Sequence, residues 1–328
     1  MYAWQSKEDL GIEGLVQVEL PTPTPECGEL LVKVEVAALN YSDLLMINDT
    51  YQIKPPRPFT PGQEVAGTVV DVGEGTGVAV GQRIASKVLF GGFAEYVIIR
   101  ADMAIAVPDA MPLSSAVALP VVYTTAMVAL TQMAPVQEGD VVLIHAAAGG
   151  LGLAAVQLAR HLGARVLATA GSEDKCRIAQ ESGAELSVNY RKPNWRPDLI
   201  AATEGRGVDI VFDSVGGEIT KESIKCLAWQ GRLLIVGFSS GNLPSLPAHL
   251  LLLKNASAIG VYWSHDRSPK MLADVGKQLV QLCEAGALQP IIRNPYGFMD
   301  LPQALQDLRD RNSVGKLVVN ISEEKESA

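Results

Sequence analysis

The chain has 328 residues, enough for two domains that each bury a sizeable core. Hydrophobic residues make up 48% and charged ones 19%, which excludes a disordered or fibrous chain. Its 27 Lys and Arg against 36 Asp and Glu give a formal net charge of −9, which argues against general binding to nucleic acid or an anionic membrane.

Four cysteines, Cys27, Cys176, Cys226 and Cys283, lie far apart with no CxxC or Cys/His spacing, so neither a zinc ribbon nor a disulfide framework is expected. The N-terminus MYAWQSKEDLG carries acids where a secretory signal needs a basic start and an apolar core, so a cytoplasmic protein is expected. The most apolar stretch, residues 141–159, is near membrane-span length, but His145, Gln157 and clustered glycines interrupt it. It reads as strand, turn and helix.

Residues 15–20, 29–37, 64–72, 83–88 and 94–99 alternate apolar and polar side chains between Pro- and Gly-rich breaks, the pattern of an antiparallel β-rich module. From about Ser114 the apolar segments reach helix length. Strands at 141–145, 165–169, 209–213 and 232–236 then alternate with helices at 151–162 and 173–182, which predicts a parallel, doubly wound sheet. Helices at 272–285 and 301–310 and a strand at 315–321 return the chain to the first module. The expected domains are 1–122 with 262–328, and 123–261.

The strongest motif is VVLIHAAAGGLGLAAVQLAR. Ala147, Gly149 and Gly152 occupy the three small positions of a G-x-G-x-x-G frame, directly after an apolar strand and at the start of a helix. With Ala148, Gly150 and Leu151 they form a turn whose backbone approaches a pyrophosphate at a helix N-terminus. A plain Gly/Ala turn that lets strand and helix pack is the competing reading. Where an NAD enzyme usually carries Asp or Glu at the next strand tip, this chain has Ala170-Gly171-Ser172. No carboxylate there repels a 2′-phosphate, and Ser172 and Lys175 have donors for it, so NADPH is expected. Glu173 or Asp174 binding a ribose hydroxyl is the alternative.

AALNYSDLLMINDTY, PFTPGQEVAGTVVDVG, GGFAEYVI, HAAAGGLG, VDIVFDSVGG, GRLLIVGFSSG and VGKLVV occur in an order that resembles the zinc-independent quinone oxidoreductase branch of the medium-chain dehydrogenase/reductase superfamily. The resemblance spans nearly the whole chain. It implies an α/β fold, a Rossmann domain joined to a GroES-like catalytic domain, and a homodimer. Where zinc alcohol dehydrogenases have Cys, His and Cys ligands, the matching positions are Asn40, Gln63 and Pro120, so no metal site is expected. Without a Lewis acid the implied reaction is NADPH-dependent hydride transfer to a quinone, or to a double bond conjugated to a carbonyl. A non-catalytic, crystallin-like NADPH-binding role is the reading of another class.

By the same resemblance Asn40 and Tyr51 are catalytic candidates, since Asn40, Asp43 and Tyr51 keep the spacing of related enoyl reductases. The alternative for Tyr51 is a loop tyrosine packed on the Pro-rich turn after it. Thr124 resembles the threonine near the nicotinamide, or is a core helix residue. Lys175 and Tyr190 match positions that hold the 2′-phosphate. Phe238, Ser240 and Gly241 follow a late parallel strand where cofactor contacts gather. Lys316 matches the lysine of a C-terminal GK element that contacts cofactor, or is an exposed charge. His145 and Asp213 read as structural residues at strand tips. Tyr262 and Trp263 read either as cleft wall or as hinge packing.

Overall fold

A computed structural model describes residues 1–293 and 295–322. Two compact units divide the chain: residues 1–121, 265–284 and 290–328 form one, and residues 122–264 with 285–289 form the other. The borders fall within three residues of those expected, except that the short stretch 285–289 belongs to the second unit.

The first unit is β-rich. Strands β1 (Tyr2–Ser6) and β2 (Leu15–Glu19) pair antiparallel. Strand β3 (Glu29–Ala38) is central: β4 (Glu64–Val72) pairs along it, and β6 (Tyr96–Arg100) pairs with its first half. Strand β5 (Arg83–Lys87) joins β4, and the short β7 (Ile105–Ala106) joins β5. Leu30, Val32, Val34, Val65, Val69 and Ile84 turn one face of this sheet into a core with Met46, Ile47 and Phe93. A helix at Tyr41–Ile47 follows β3, where periodicity alone predicts no helix. Seven residues are too few to show a 3.6-residue pattern, and the signal lies in its cap, where Asn40 and Asp43 form a reciprocal capping box.

Residues Leu113–Met133 form a continuous helical run, long and apolar enough by composition to cross a membrane, but 78% of its most apolar window is buried inside the protein. It is a core helix.

The second unit carries six parallel strands: β8 (Val141–Ile144), β9 (Arg165–Ala170), β10 (Leu186–Asn189), β11 (Val208–Asp213), β12 (Leu227–Ile235) and β13 (Ser257–Gly260). Their order is β10-β9-β8-β11-β12-β13. That is the 3-2-1-4-5-6 order of a doubly wound sheet, whose ligand crevice opens where the order reverses, outside the carboxyl ends of β8 and β11. Val141–Ile144 is buried along its whole length, as a strand covered on both faces must be. Leu143, Leu167, Val211 and Leu233 pack there with Leu199 and Ile224. After a helix at Pro269–Glu284, β14 (Tyr296–Gly297) and β15 (Val318–Asn320) complete the first unit's sheet, with β15 antiparallel to β3. The helix at Ala248–Lys254, which holds Leu250 to Leu253, buries none of its residues and so is not a core helix.

Candidate functional site

In the second unit the chain leaves β8, passes Ala146 in the left-handed region (φ 50°) and enters a twelve-residue helix, Gly150–His161. The turn is closed by Gly149 N–H donating to Ala146 O at 3.0 Å, and tied to β9 by Ala147 N–H donating to Thr169 O at 3.0 Å. Gly152 has a steric reason to be glycine: a Cβ there would lie 2.3 Å from Ala146 O and 2.6 Å from Ala147 Cα. At Gly149 a Cβ would meet Ala146 O at an ordinary 3.4 Å, so packing does not demand glycine there. No acid occupies the first turn of the helix. Its first amide groups have no partner within the helix and carry the positive end of its dipole, a suitable seat for a pyrophosphate.

At the tip of β9, Ser172 caps the helix Glu173–Glu181, its Oγ accepting from Lys175 N–H at 3.3 Å. A Cβ on Gly171 would stand 3.3 Å from Tyr190 Oη and 3.5 Å from Arg191 Nε. Tyr190 and Arg191 thus flank Gly171 at the strand tip, beside Ser172, and Lys175 lies in the first turn of the helix that Ser172 caps. Sequence reasoning misses Arg191, although its place directly after Tyr190 at the end of β10 is an available signal. Glu173 is turned to other work: Lys192 Nζ lies 2.8 Å and Asn189 Nδ2 3.1 Å from its Oε1, and the lysine hydrogen bond holds its pKa low. Asp174 pairs with Arg177 at 3.1 Å. Neither acid is aimed at a ribose hydroxyl by these contacts.

Phe238 and Ser240 lie against the turn that follows β11, with Ser240 N–H donating to Val215 O at 2.9 Å. Asp213 orders that turn. Its Oδ1 accepts from Val215 and Gly216 N–H at 2.8 and 3.1 Å, and its Oδ2 accepts from the Thr220 hydroxyl. His145 is fully buried between Thr169 Oγ1 at 2.7 Å and Ser223 Oγ at 2.6 Å. The Ser223 hydroxyl donates to Ile219 O, so it accepts from His145 Nε2–H, and Nδ1 accepts from Thr169. Burial lowers the imidazole pKa, and the ring is a neutral structural link. Thr124 is buried at the start of Thr124–Met127. Trp263 donates to Thr125 Oγ1 at 3.0 Å and is packed, while Tyr262 is exposed.

The first unit contributes a sealed polar cluster. Lys316, expected at a cofactor or in solvent, is instead buried with its Nζ 2.7 Å from Glu64 Oε2 and 2.6 Å from Asn40 Oδ1. Asn40 Nδ2 donates to the same Glu64 oxygen at 3.1 Å, and Glu64 Oε1 accepts from Val121 N–H at 2.7 Å. Asp43 is fully buried; its Oδ2 accepts from Asn40 N–H at 2.8 Å, and its Oδ1 has no hydrogen-bond partner. Burial pushes the Asp43 carboxyl up to about 7. Ser42 donates to Gln63 Oε1, and Gln63 Nε2 reaches Leu89 O at 3.4 Å. Tyr51 is half-buried against this unit's core.

Known proteins give this arrangement a family. The Alcohol dehydrogenase GroES-like domain matches residues 26–109, and the Zinc-binding dehydrogenase family matches residues 150–278. Quinone oxidoreductase-like protein 2 of Bos taurus is 37% identical over 310 residues, 93% of this chain and 88% of the relative. The chain belongs to the quinone oxidoreductase family of the medium-chain dehydrogenases/reductases. Among solved members, Escherichia coli quinone oxidoreductase complexed with NADPH superposes with a TM-score of 0.90 at 27% identity, over 98% of this chain and 100% of that one. The quinone oxidoreductase from Thermus thermophilus, also solved with NADPH, gives 0.82 at 33% identity, over 98% and 100%.

The zinc in the matched family's description does not fit this donor set. Among the described residues no three His, Cys, Asp or Glu side chains gather as metal ligands. At the positions expected for ligands, Asn40 Oδ1 is taken by an ammonium, Gln63 Oε1 by a hydroxyl, and Pro120 has no side-chain donor. A zinc ion beside the Lys316 ammonium would meet like charge and neutral amides instead of thiolate or imidazole.

Proposed function

We propose that the protein is an NADPH-dependent oxidoreductase that reduces a quinone. The carrying observation is the carboxylate-free tip of β9, where Tyr190 and Arg191 flank Gly171, Ser172 caps the next helix with Lys175 in its first turn, and Glu173 is bound to Lys192. Family members solved with NADPH support the same cofactor here. When bound, the dinucleotide supplies hydride from its nicotinamide C4. The chain's own part is to seat the pyrophosphate on the Ala147–Gly152 backbone and to give the 2′-phosphate hydroxyl and cationic donors. Phe238 and Ser240, beside the turn after β11, are proposed to complete the cofactor contacts, with Thr124 near the nicotinamide.

Asn40 and Tyr51 are proposed as catalytic residues carried by the first unit. Asn40 is fixed on both sides of its amide by Lys316 and Glu64, so its orientation is set before any substrate arrives. A second enzymatic reading, reduction of a double bond conjugated to a carbonyl, is favoured by the Asn40–Asp43 box with Tyr51 at enoyl-reductase spacing. The deciding experiment is NADPH oxidation with a panel of quinones and enones. Turnover of quinones above enones supports the first reading, and the reverse supports the second. Tight NADPH binding with no oxidation by any acceptor overturns both in favour of a non-catalytic binding protein.

A further inference from the structure

A four-residue turn, Asn189-Tyr190-Arg191-Lys192, begins on the last residue of β10 and reaches the tip of β9. Lys192 N–H closes it by donating to Asn189 O at 3.1 Å, and Tyr190 N–H pins it to the end of β9 by donating to Ala170 O at 3.1 Å. Its two middle residues, Tyr190 and Arg191, are the ones that flank Gly171. Its two outer residues both bind Glu173, on the same carboxylate oxygen: Lys192 Nζ at 2.8 Å and Asn189 Nδ2 at 3.1 Å. Asn189 Oδ1 also accepts Arg191 N–H at 3.0 Å, so one amide holds both the acid and the backbone of the neighbouring cation.

Glu173 is the carboxylate whose freedom matters at this tip. Beyond Gly152 it is the first Asp or Glu in the chain, and it stands about twenty residues after the glycine turn, where an NAD-binding fold carries the acid that accepts from the ribose 2′-hydroxyl. Burial does not force its pairing with Lys192, since the two side chains are 66% and 64% exposed. Its place in the first turn of the helix Glu173–Glu181 does not require a lysine either, because the helix dipole favours an acid there without one. The next acid, Asp174, is already tied to Arg177. With Glu173 held, the charges left to face a ligand at the tip are the cations Lys175 and Arg191.

We infer that Lys192 is a specificity-determining positioning residue: by holding the Glu173 carboxylate at the end of β10, it denies a ribose 2′-hydroxyl its acceptor and spares a 2′-phosphate the repulsion. The inference rests on the reading of the β9 tip as the 2′-phosphate site. Lys192 acts through Glu173 and not by touching the dinucleotide. Selectivity then has two separate parts. Lys175 and Arg191 attract the phosphate, and Lys192 removes the carboxylate that would favour the hydroxyl. Without Lys192, only the neutral Asn189 amide restrains an exposed acid one residue from the Ser172 cap.

The test is fluorescence titration of the full-length protein with NADPH and with NADH, free of any acceptor. An exposed ion pair is weak, so Lys192→Met is expected to tighten NADH by about threefold and to weaken NADPH by about the same factor. The gain for NADH is the diagnostic sign, because loss of a lysine that bound the phosphate directly would only weaken NADPH. In a Glu173→Gln background Lys192→Met should no longer tighten NADH, and Lys192→Arg, which keeps a cation for the acid, should retain the wild-type preference. Weaker NADPH with NADH unchanged in Lys192→Met overturns the inference in favour of a direct phosphate contact. Equal loss of both dinucleotides overturns it in favour of a support for the turn, and unchanged affinities, or a gain for NADH that persists in Glu173→Gln, overturn it as well. A wild type that binds NADH as tightly as NADPH overturns the phosphate-site reading itself, and this proposal with it.

Discussion

Lys316 Nζ lies 2.7 Å from Glu64 Oε2 where both side chains are closed off from solvent. This ion pair ties β4 to the segment just before β15, and Asn40 bridges it. Removing one partner leaves the other charge buried, which typically costs about 3–5 kcal/mol. Lys316→Met should therefore lower the urea midpoint sharply, and Lys316→Met with Glu64→Gln should recover part of the loss. Equal stabilities for wild type and Lys316→Met would show that the pair contributes nothing net.

Asp43 gives stability a pH dependence of a definite sign. Its folded-state pKa of about 7 lies above the ordinary carboxyl value of 3.8, so between those values the folded chain binds more protons than the unfolded one. Stability then falls as pH rises from about 4 to 7 and levels above that, by at most about 4 kcal/mol. Asp43→Asn keeps an oxygen for Asn40 N–H and removes the titration. The stability difference between wild type and variant should shift in the wild type's disfavour across that window, measured by urea unfolding at several pH values. A constant difference would mean that Asp43 titrates normally.

Metal independence follows from Asn40, Gln63 and Pro120 standing at the positions of a zinc ligand set. Purified protein should hold no stoichiometric zinc by elemental analysis and keep its activity in a strong chelator. Inactivation by chelator with recovery on adding zinc would contradict that outcome.

How much of this is legible in sequence depends on the range of the interaction. β4 and β8 follow from periodicity and apolar runs, because each is decided by neighbours a few residues apart. The glycine turn is legible for the same reason. The Lys316–Glu64–Asn40 cluster is not, since Lys316 and Asn40 lie 276 positions apart and only the antiparallel pairing of β15 on β3 joins them. Sequence alone leaves a lone lysine near a C-terminus as a solvated charge or a phosphate ligand.

Association should involve the open edge of the second unit's sheet. Among the described residues β13 pairs on one side only, with β12, and the neighbouring Ala248–Lys254 helix exposes Leu252 at 79% and Leu253 at 68%. A strand edge beside exposed leucines invites pairing with a second copy. We expect a homodimer by light scattering at micromolar concentration, converted to monomer by Leu252→Glu with Leu253→Glu. A wild-type monomer would remove the idea.

Cofactor choice is predicted to turn on Arg191 and Lys175. Tyr190 Oη and the Arg191 guanidinium bracket the space above Gly171, and Lys175 lies in the first turn of the helix that Ser172 caps. A 2′-phosphate there meets cationic donors, whereas a 2′-hydroxyl finds no free carboxylate, because Glu173 is held by Lys192 and Asn189. Charge-assisted hydrogen bonds to phosphate are typically worth about 1.5–3 kcal/mol each, roughly tenfold or more in affinity. Arg191→Ala and Lys175→Ala should each reduce the preference for NADPH over NADH by about that factor while leaving NADH binding little changed, read by fluorescence titration of both dinucleotides. If one variant weakens NADPH and NADH equally, that side chain supports the strand tip and does not read the phosphate. If the preference survives both substitutions, the selectivity lies elsewhere than at the tip of β9.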